Sequence, residues 1–234
     1  MLEKKPYHPP HLKESKQLTF QNTKPGGRVS GAKTIEGKNI YRKQKRVDFQ
    51  NVIDIEREKT ILRRLRGAGL LVEVPFEGGD NRSMFVFDEG KEILKVLHTF
   101  DREKRKLIYY QLGQELAKIH NVGILHGDMS PRNIVCDSHG KVSFIDFEFA
   151  KYIDSREQHT HKTDQEYNEW CAEKMAKEVR QLAVVLSFEM NDGDVIQALL
   201  EAYLNEMHPV NEEIKQQLLK KIDLIKQQIK PKQT

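Results

Sequence analysis

Apolar residues in this chain follow two rhythms. From Leu18 to Arg46 ("LTFQNTKPGGRVSGAKTIEGKNIYRKQKR") short apolar segments are cut by glycine turns at Gly26-Gly27 and Glu36-Gly37, which predicts short strands. From Asp48 the spacing changes. Val52, Ile55, Ile61, Leu62 and Leu65 recur at roughly helical intervals, and Gly67 with Gly69 ends the run. "LLVEVPFEGG" and "SMFVFDEG" predict two further strands. "DREKRKLIYYQLGQELAKIHNVG" predicts a long amphipathic helix closed by Gly123. "NIVCD" and "VSFIDF" then read as a hairpin around a Ser138-His139-Gly140 turn, and positions 166–229 are mostly helical. "SREQHTHKTDQEYN", between the hairpin and those helices, reads as a polar, mobile connector. Strands, one helix, more strands and then helices make an α+β fold.

Residues 1–16 hold three prolines and several charges and read as a flexible arm. The expected division is a β-rich part over 17–88 and a helical part over 89–234, with the hinge near "FVFDEG". The chain has 234 residues, room for one large or two small domains. Hydrophobic residues are 38% and charged residues 32%, so many helices should be half solvated. A net charge of +4 does not by itself argue for nucleic acid, and the basic excess gathers in "KNIYRKQKR". Two cysteines, Cys136 and Cys171, are too few for a disulfide scaffold and favour a reduced, intracellular setting. No apolar run approaches the roughly 20 residues that span a bilayer, and the N-terminus has no apolar signal core. The expectation is a cytoplasmic protein.

The candidate chemistry lies in two turns. "ILHGDMSPRNIV" places Asp128 and Asn133 before the hairpin, and "FIDFEFA" places Asp146 after it. Folding the hairpin back brings two carboxylates and an amide oxygen together. That is a hard-oxygen set suited to Mg²⁺, which takes few protein ligands and leaves places for water and phosphate. One carboxylate can hold metal while the other orients a hydroxyl, the division of labour that phosphoryl transfer needs.

"HGDMSPRN" resembles the H-x-D-x-x-x-x-N catalytic loop of the protein kinase superfamily, and "IDFE" resembles its metal-binding D-F-G. The resemblance implies a bilobal kinase-like fold: a small β-rich N-lobe with one helix and a compact helical C-lobe. It implies ATP and Mg²⁺ as cofactors, with Asp128 and Asn133 catalytic and Asn133 and Asp146 on the metal. "EREKTILRRLRGAG" is similar to the helix whose glutamate pairs the nucleotide lysine, which makes Glu58 that partner; Glu56 and Arg57 are equally charged neighbours. The lysine should lie in "NIYRKQKR": Lys43 is the choice, with Lys45 and Arg42 as rivals. "VFDEGKEIL" is similar to the hinge, where adenine would meet main-chain groups from Val86 to Asp88. His126 would be structural, and Arg132 stands where many protein kinases carry a lysine.

The chain also departs from the pattern. "KPGGRVSGAK" lacks G-x-G-x-x-G spacing, so Gly26 and Gly27 are either phosphate-facing or an ordinary turn. Glu148 replaces the glycine of D-F-G, and no A-P-E follows. Glu178, in "AKEVRQLAVVL", reads either as a brace for the catalytic loop or, more simply, as an exposed helix residue. His159 and His161 have no third ligand beside them, and Trp170 with Tyr167 reads as core packing.

The closest likeness is to compact atypical kinases: the RIO group, the small kinase of the KEOPS tRNA-modifying assembly and bacterial lipopolysaccharide core kinases. The function implied is transfer of the γ-phosphate of ATP to a protein serine or threonine or to a sugar of lipopolysaccharide core, at the inner membrane face in the latter case. The alternatives are an ATP-binding or ATPase switch in a KEOPS-like complex, with a partner protein or tRNA touching the lysine-bearing "KKIDLIKQQIKPKQT", and a pseudokinase.

Overall fold

Two seven-residue strands open the described chain. β1 (Val29–Ile35) and β2 (Lys38–Gln44) pair antiparallel with Ile35 opposite Lys38, the register that a two-residue connection demands. In this computed structural model the described residues are 29–35, 38–44, 55–70, 72, 75–76, 83–87, 90–153, 163–190, 193–208 and 212–229. The expected arm over 1–16, the turns at Gly26-Gly27 and Glu36-Gly37, and residues 155–162 of the expected connector lie outside them, while the connector's last residues, from Asp164, are helical and not a mobile link.

The helix expected from Asp48 is described over Ile55–Gly67 (α1). It ends with Gly69 N–H on the Arg66 carbonyl and Leu70 N–H on the Leu65 carbonyl, a paired bond that satisfies the last carbonyls. β3 (Pro75–Phe76) and β4 (Ser83–Phe87) complete a four-stranded sheet in the order β1-β2-β4-β3. Of the strand expected over 70–79, positions 71, 73, 74 and 77–79 lie outside the described residues. Among the described residues it supplies β3 and one isolated parallel bridge from Val72 to Phe144. α1 packs on β3 and β4 through one face, burying Ile61, Leu62 and Leu65.

Two short elements then appear that the sequence pattern did not announce: β5 (Lys91–Glu92) and α2 (Ile93–Leu97). One turn of helix has no periodicity to read. α3 (Arg102–Asn121) follows as expected, with the Asp101 carboxylate accepting from Lys104 N–H at its start and Gly123 turning the chain at its end. The remaining strands are β6 (Ile124–Leu125), β7 (Ile134–Cys136), β8 (Val142–Phe144) and β9 (Lys151–Tyr152). β7 and β8 form the expected hairpin, with β5 on its edge, and β6 pairs β9.

The helices of the C-terminal half are α4 (Asp164–Met190), α5 (Gly193–Glu206) and α6 (Glu212–Gln228). α3 packs on α5 and α4 on α6, around one continuous apolar core that also takes in Phe144 and Phe147. Tyr167 and Trp170 are half-buried and stacked, as the core-packing reading expects. Both cysteines are free and buried. Among the described residues no helix is long and apolar enough to cross a membrane.

Gly113 sets the approach of α3 to α5. A Cβ built there would stand 2.2 Å from the Leu199 carbonyl oxygen and 2.9 Å from Tyr203 N. In an open helix, Gly→Ala gains about 1 kcal/mol of propensity, whereas overpacking a tight contact costs about 1–3 kcal/mol. Backbone is the obstacle here, so the steric term should win. Gly113→Ala is expected to lower the thermal midpoint by several degrees; an equal or higher midpoint would show that the two helices part freely.

Candidate active site

Chain direction reverses twice around the two turns singled out in the sequence. After β6, residues 126–130 form a loop that closes in a 3-10 turn over Pro131–Asn133, with Ser130 Oγ accepting from Arg132 N–H. After β8, residues 145–146 lead into a second 3-10 turn over Phe147–Phe149. The hairpin β7-β8 joins them, and Ile145 N–H donates to the Asn133 carbonyl at 2.9 Å. One main-chain hydrogen bond thus ties the end of the first turn to the start of the second.

The side chains add further ties. Asn133 is buried, and its Nδ2 donates to both the main-chain oxygen (3.0 Å) and Oδ2 (2.9 Å) of Asp128. Asp128 is therefore held by an amide five residues downstream. Asn133 Oδ1 and Asp128 Oδ1 accept no hydrogen bond among the described residues. The open amide oxygen of Asn133 and carboxylate oxygen of Asp128, with Asp128 and Asp146 both acting on the one His126 ring, are hard-oxygen donors of the kind that suits a cation taking few protein ligands. Among the described residues no group of three or more His, Cys, Asp or Glu is arranged to hold a metal ion by itself.

His126 joins the two turns. It is fully buried, and its Nε2–H donates to the Ile145 carbonyl at 3.0 Å. Its Nδ1 accepts from Asp128 N–H at 3.4 Å, a long bond that still fixes the tautomer because one ring nitrogen faces an oxygen and the other an N–H. The ring packs against Phe147, centroid to centroid 4.5 Å. Burial pulls the His126 pKa down. The charges of Glu178, Asp146 and Asp128 and the bond to Ile145 pull the other way, and burial prevails. Both candidate carboxylates are thus electrostatic neighbours of one neutral imidazole.

Asp146 adopts φ 64°, ψ 64°, the one non-glycine residue of positive φ among the described residues. Such a conformation costs of order 1–3 kcal/mol and persists only where surrounding structure enforces it. Here Ile145 is held on one side by Asn133 and His126. On the other side Arg57 of α1 donates to the Glu148 carbonyl at 3.0 Å. Phe147, fully buried, anchors the turn from below.

Glu178 is the residue that composition and pattern left open. The simpler reading, an exposed helix position, is corrected: Glu178 is only 7% exposed and points at the loop. Oε2 accepts from His126 N–H at 3.1 Å and from His120 Nε2–H at 3.0 Å, and Oε1 accepts from Gly127 N–H at 2.7 Å. Burial raises its pKa. The hydrogen bond and charge of His120, the Gly127 N–H and the charge of His126 outweigh that, and the carboxyl lies below its ordinary value of 4.5. A helix carboxylate 51 residues beyond the loop it meets carries no local signal. Only the fold brings it to residue 127. Gly127 itself has φ 86°, and a Cβ there would strike the Phe149 carbonyl at 2.2 Å, so the H-G-D glycine is dictated sterically.

Of the other expected site residues, Glu58 lies on α1, 2% exposed, on a helix that packs against the 147–149 turn. Lys43 stands on β2 opposite Met84, and Val86 on β4 opposite Tyr41. The expected Lys43–Glu58 ion pair lies outside the described side chains, and Gly26, Gly27, Lys45, Asp88, His159 and His161 lie outside the described residues. Arg132 is exposed at the rim of the loop.

Comparison with known proteins gives the same direction. A family model described as "Protein kinase domain" matches residues 25–181. The chain is 34% identical over 103 residues to the KEOPS complex subunit Bud32 of Pyrococcus abyssi, covering 43% of this chain and 46% of that protein. It is 27% identical over 120 residues to CBL-interacting protein kinase 22 of Oryza sativa subsp. japonica, covering 48% and 26%. It is 30% identical over 154 residues to the probable serine/threonine-protein kinase glkA of Dictyostelium discoideum, covering 60% and 32%. The chain spans less than half the length of each of these relatives.

The ion at Glu178 gives a signed pH dependence. Its folded pKa is depressed, so its contribution is complete above 4.5 and is lost as pH falls through the lower folded value. Glu178→Gln should cost about 3–5 kcal/mol at pH 7, as for a broken buried pair. Urea midpoints should show that penalty shrinking as the pH is taken below 4.5. A penalty independent of pH would mean the charge is not what holds the loop.

Proposed function

Because this chain belongs to the protein kinase family, we propose that it is an ATP-dependent phosphotransferase that moves the γ-phosphate to a hydroxyl acceptor. The observation that carries this reading is the Asp128–Asn133 lock, set on a loop whose backbone is clamped by Glu178 and His126. A carboxylate held this way keeps one oxygen open and cannot swing. That suits a group that must orient an acceptor hydroxyl and receive its proton. Positioning of this kind accounts for most of the protein's share in phosphoryl transfer.

In this reading Asp128 orients the acceptor. Asn133 Oδ1 and the Asp146 carboxylate hold Mg²⁺, which when bound neutralises charge on the phosphates. Glu58 pairs with Lys43, which steadies the α- and β-phosphates; Gly26 and Gly27 cover them, and main-chain groups from Val86 to Asp88 receive the adenine. The nucleotide then lies between a small lobe of residues 17–88 and a helical lobe of residues 89–234. A neutral His126 keeps Asp128 N–H and Ile145 in register without adding a proton that the transfer could misdirect.

The acceptor is a protein serine or threonine or a sugar hydroxyl such as that of lipopolysaccharide core. The protein would work in the cytoplasm, and at the inner membrane face if the acceptor is the glycolipid. A second reading has one observation in its favour, the 34% identity to a KEOPS complex subunit. On it, ATP binding or hydrolysis serves a partner protein, and through it a tRNA, rather than a free acceptor. Labelled ATP incubated with a lysate split into protein, lipid-sugar and RNA fractions separates these. Label in protein or glycolipid supports the transferase, phosphate release without label supports the switch, and no Mg²⁺-ATP-dependent rise in melting temperature supports a pseudokinase.

Asp146→Asn is expected to abolish Mg²⁺-ATP-dependent transfer with the melting temperature retained; wild-type turnover would remove Asp146 from the metal. Asp128→Asn is expected to keep nucleotide binding and lose on the order of 100-fold or more in transfer rate. Turnover equal to wild type would take Asp128 out of the chemistry.

A further inference from the structure

The Glu178 carboxylate does not stand alone behind the loop. His120, two turns along α3 from Gly113, holds it through Nε2–H at 3.0 Å. The other ring nitrogen of His120, Nδ1, lies 2.7 Å from the hydroxyl of Tyr203 on α5. The two rings meet edge to face, 5.6 Å between centroids at 83°. All three side chains are buried. A continuous chain of hydrogen bonds therefore runs Tyr203, His120, Glu178, and ends on the N–H groups of His126 and Gly127, next to Asp128.

We propose that Tyr203 is a positioning residue for phosphate transfer, acting from α5 through His120 and Glu178 on the backbone that carries Asp128. This rests on the transferase reading and names a residue that no motif contains. Glu178 Oε2 has two donors to satisfy, His120 and the His126 N–H, and the angle of the His120 ring decides whether it can serve both. An imidazole bonded at one nitrogen can pivot about that bond or turn over; bonded at both, it is fixed. Tyr203 supplies the second bond. Burial and the neighbouring Glu178 charge hold its phenol well above the ordinary range, so the hydroxyl keeps its proton. Gly113 makes the reach possible, because α5 backbone at Leu199 and Tyr203 comes against α3 where any Cβ would block it.

Tyr203→Phe deletes only the hydroxyl. The expected result is a kcat about tenfold lower with the KM for ATP within about twofold, the scale of one lost hydrogen bond expressed after binding. Amide exchange at His126 and Gly127 should speed up about tenfold, ahead of amides elsewhere in α5. Ile225→Val in α6 serves as the comparison for general loss of stability and should show neither effect. Unchanged kcat and unchanged exchange at those two amides, or losses that Ile225→Val reproduces, overturn the proposal. If the wild type transfers no phosphate, the transferase reading fails, while the exchange measurement still decides the link from Tyr203. In the wild type the geometry also requires a slowly exchanging Tyr203 hydroxyl proton close in space to the His120 ring. Its absence from the proton spectrum overturns the proposal even where the variant does not fold.

Discussion

A carboxylate buried in a helix must be surrounded by donors or give up its charge, because desolvating an ion without partners costs several kcal/mol. Glu178 resolves this with three donors, and two of them are main-chain N–H groups of the loop that carries Asp128. The constraint runs both ways. The ion needs the loop's N–H groups, and the irregular loop, which has no ladder partner for those N–H groups, needs an acceptor for them. Neither α4 nor the 126–133 loop can relax without leaving the other unsatisfied. His126, Asn133 and the main-chain bond from Ile145 then carry the rigidity across to the second turn.

That second turn is where strain is stored. Asp146 has a left-handed backbone, which costs any residue with a Cβ, though aspartate less than most. The bonds at Ile145, the buried ring of Phe147 and the Arg57 bond to the Glu148 carbonyl hold it from three directions. Glu148 occupies the place where the likeness to kinases expects glycine, and the turn forms nonetheless, because the positive φ falls at Asp146 and not at Glu148. The bond from Arg57 also makes the position of α1, and so of Glu58, dependent on the conformation of this turn.

The parts of the fold that the sequence made legible were those with local chemistry. α3 announced itself through its amphipathic pattern and Gly123, and the β7-β8 hairpin through its turn. Asp128 and Asn133 could be read together because they stand five positions apart in one loop, and the hairpin then implied Asp146. Over 70–79 the described residues give the two-residue β3 and the single bridge at Val72, and Pro75 has no N–H to offer a ladder. What could not be read was contact at long separation. Glu178 reaches a loop about fifty residues away, and Tyr203 reaches His120 from 83 residues downstream. Each sits on an ordinary amphipathic helix face, where a buried polar residue looks like a solvated one until tertiary structure says which neighbours it has.

We propose that Asn133 and Asp146 hold one divalent ion next to the Asp128 carboxylate and a bound nucleotide. Mn²⁺ added with a non-hydrolysable ATP analogue tests it directly by NMR. The account predicts that the Asn133 side-chain amide and the amides of Asp128 and Asp146 broaden away first. The Asn168 side-chain amide, bonded to Glu213 between α4 and α6, should persist. Broadening centred elsewhere, or equal at Asn133 and Asn168, would contradict it.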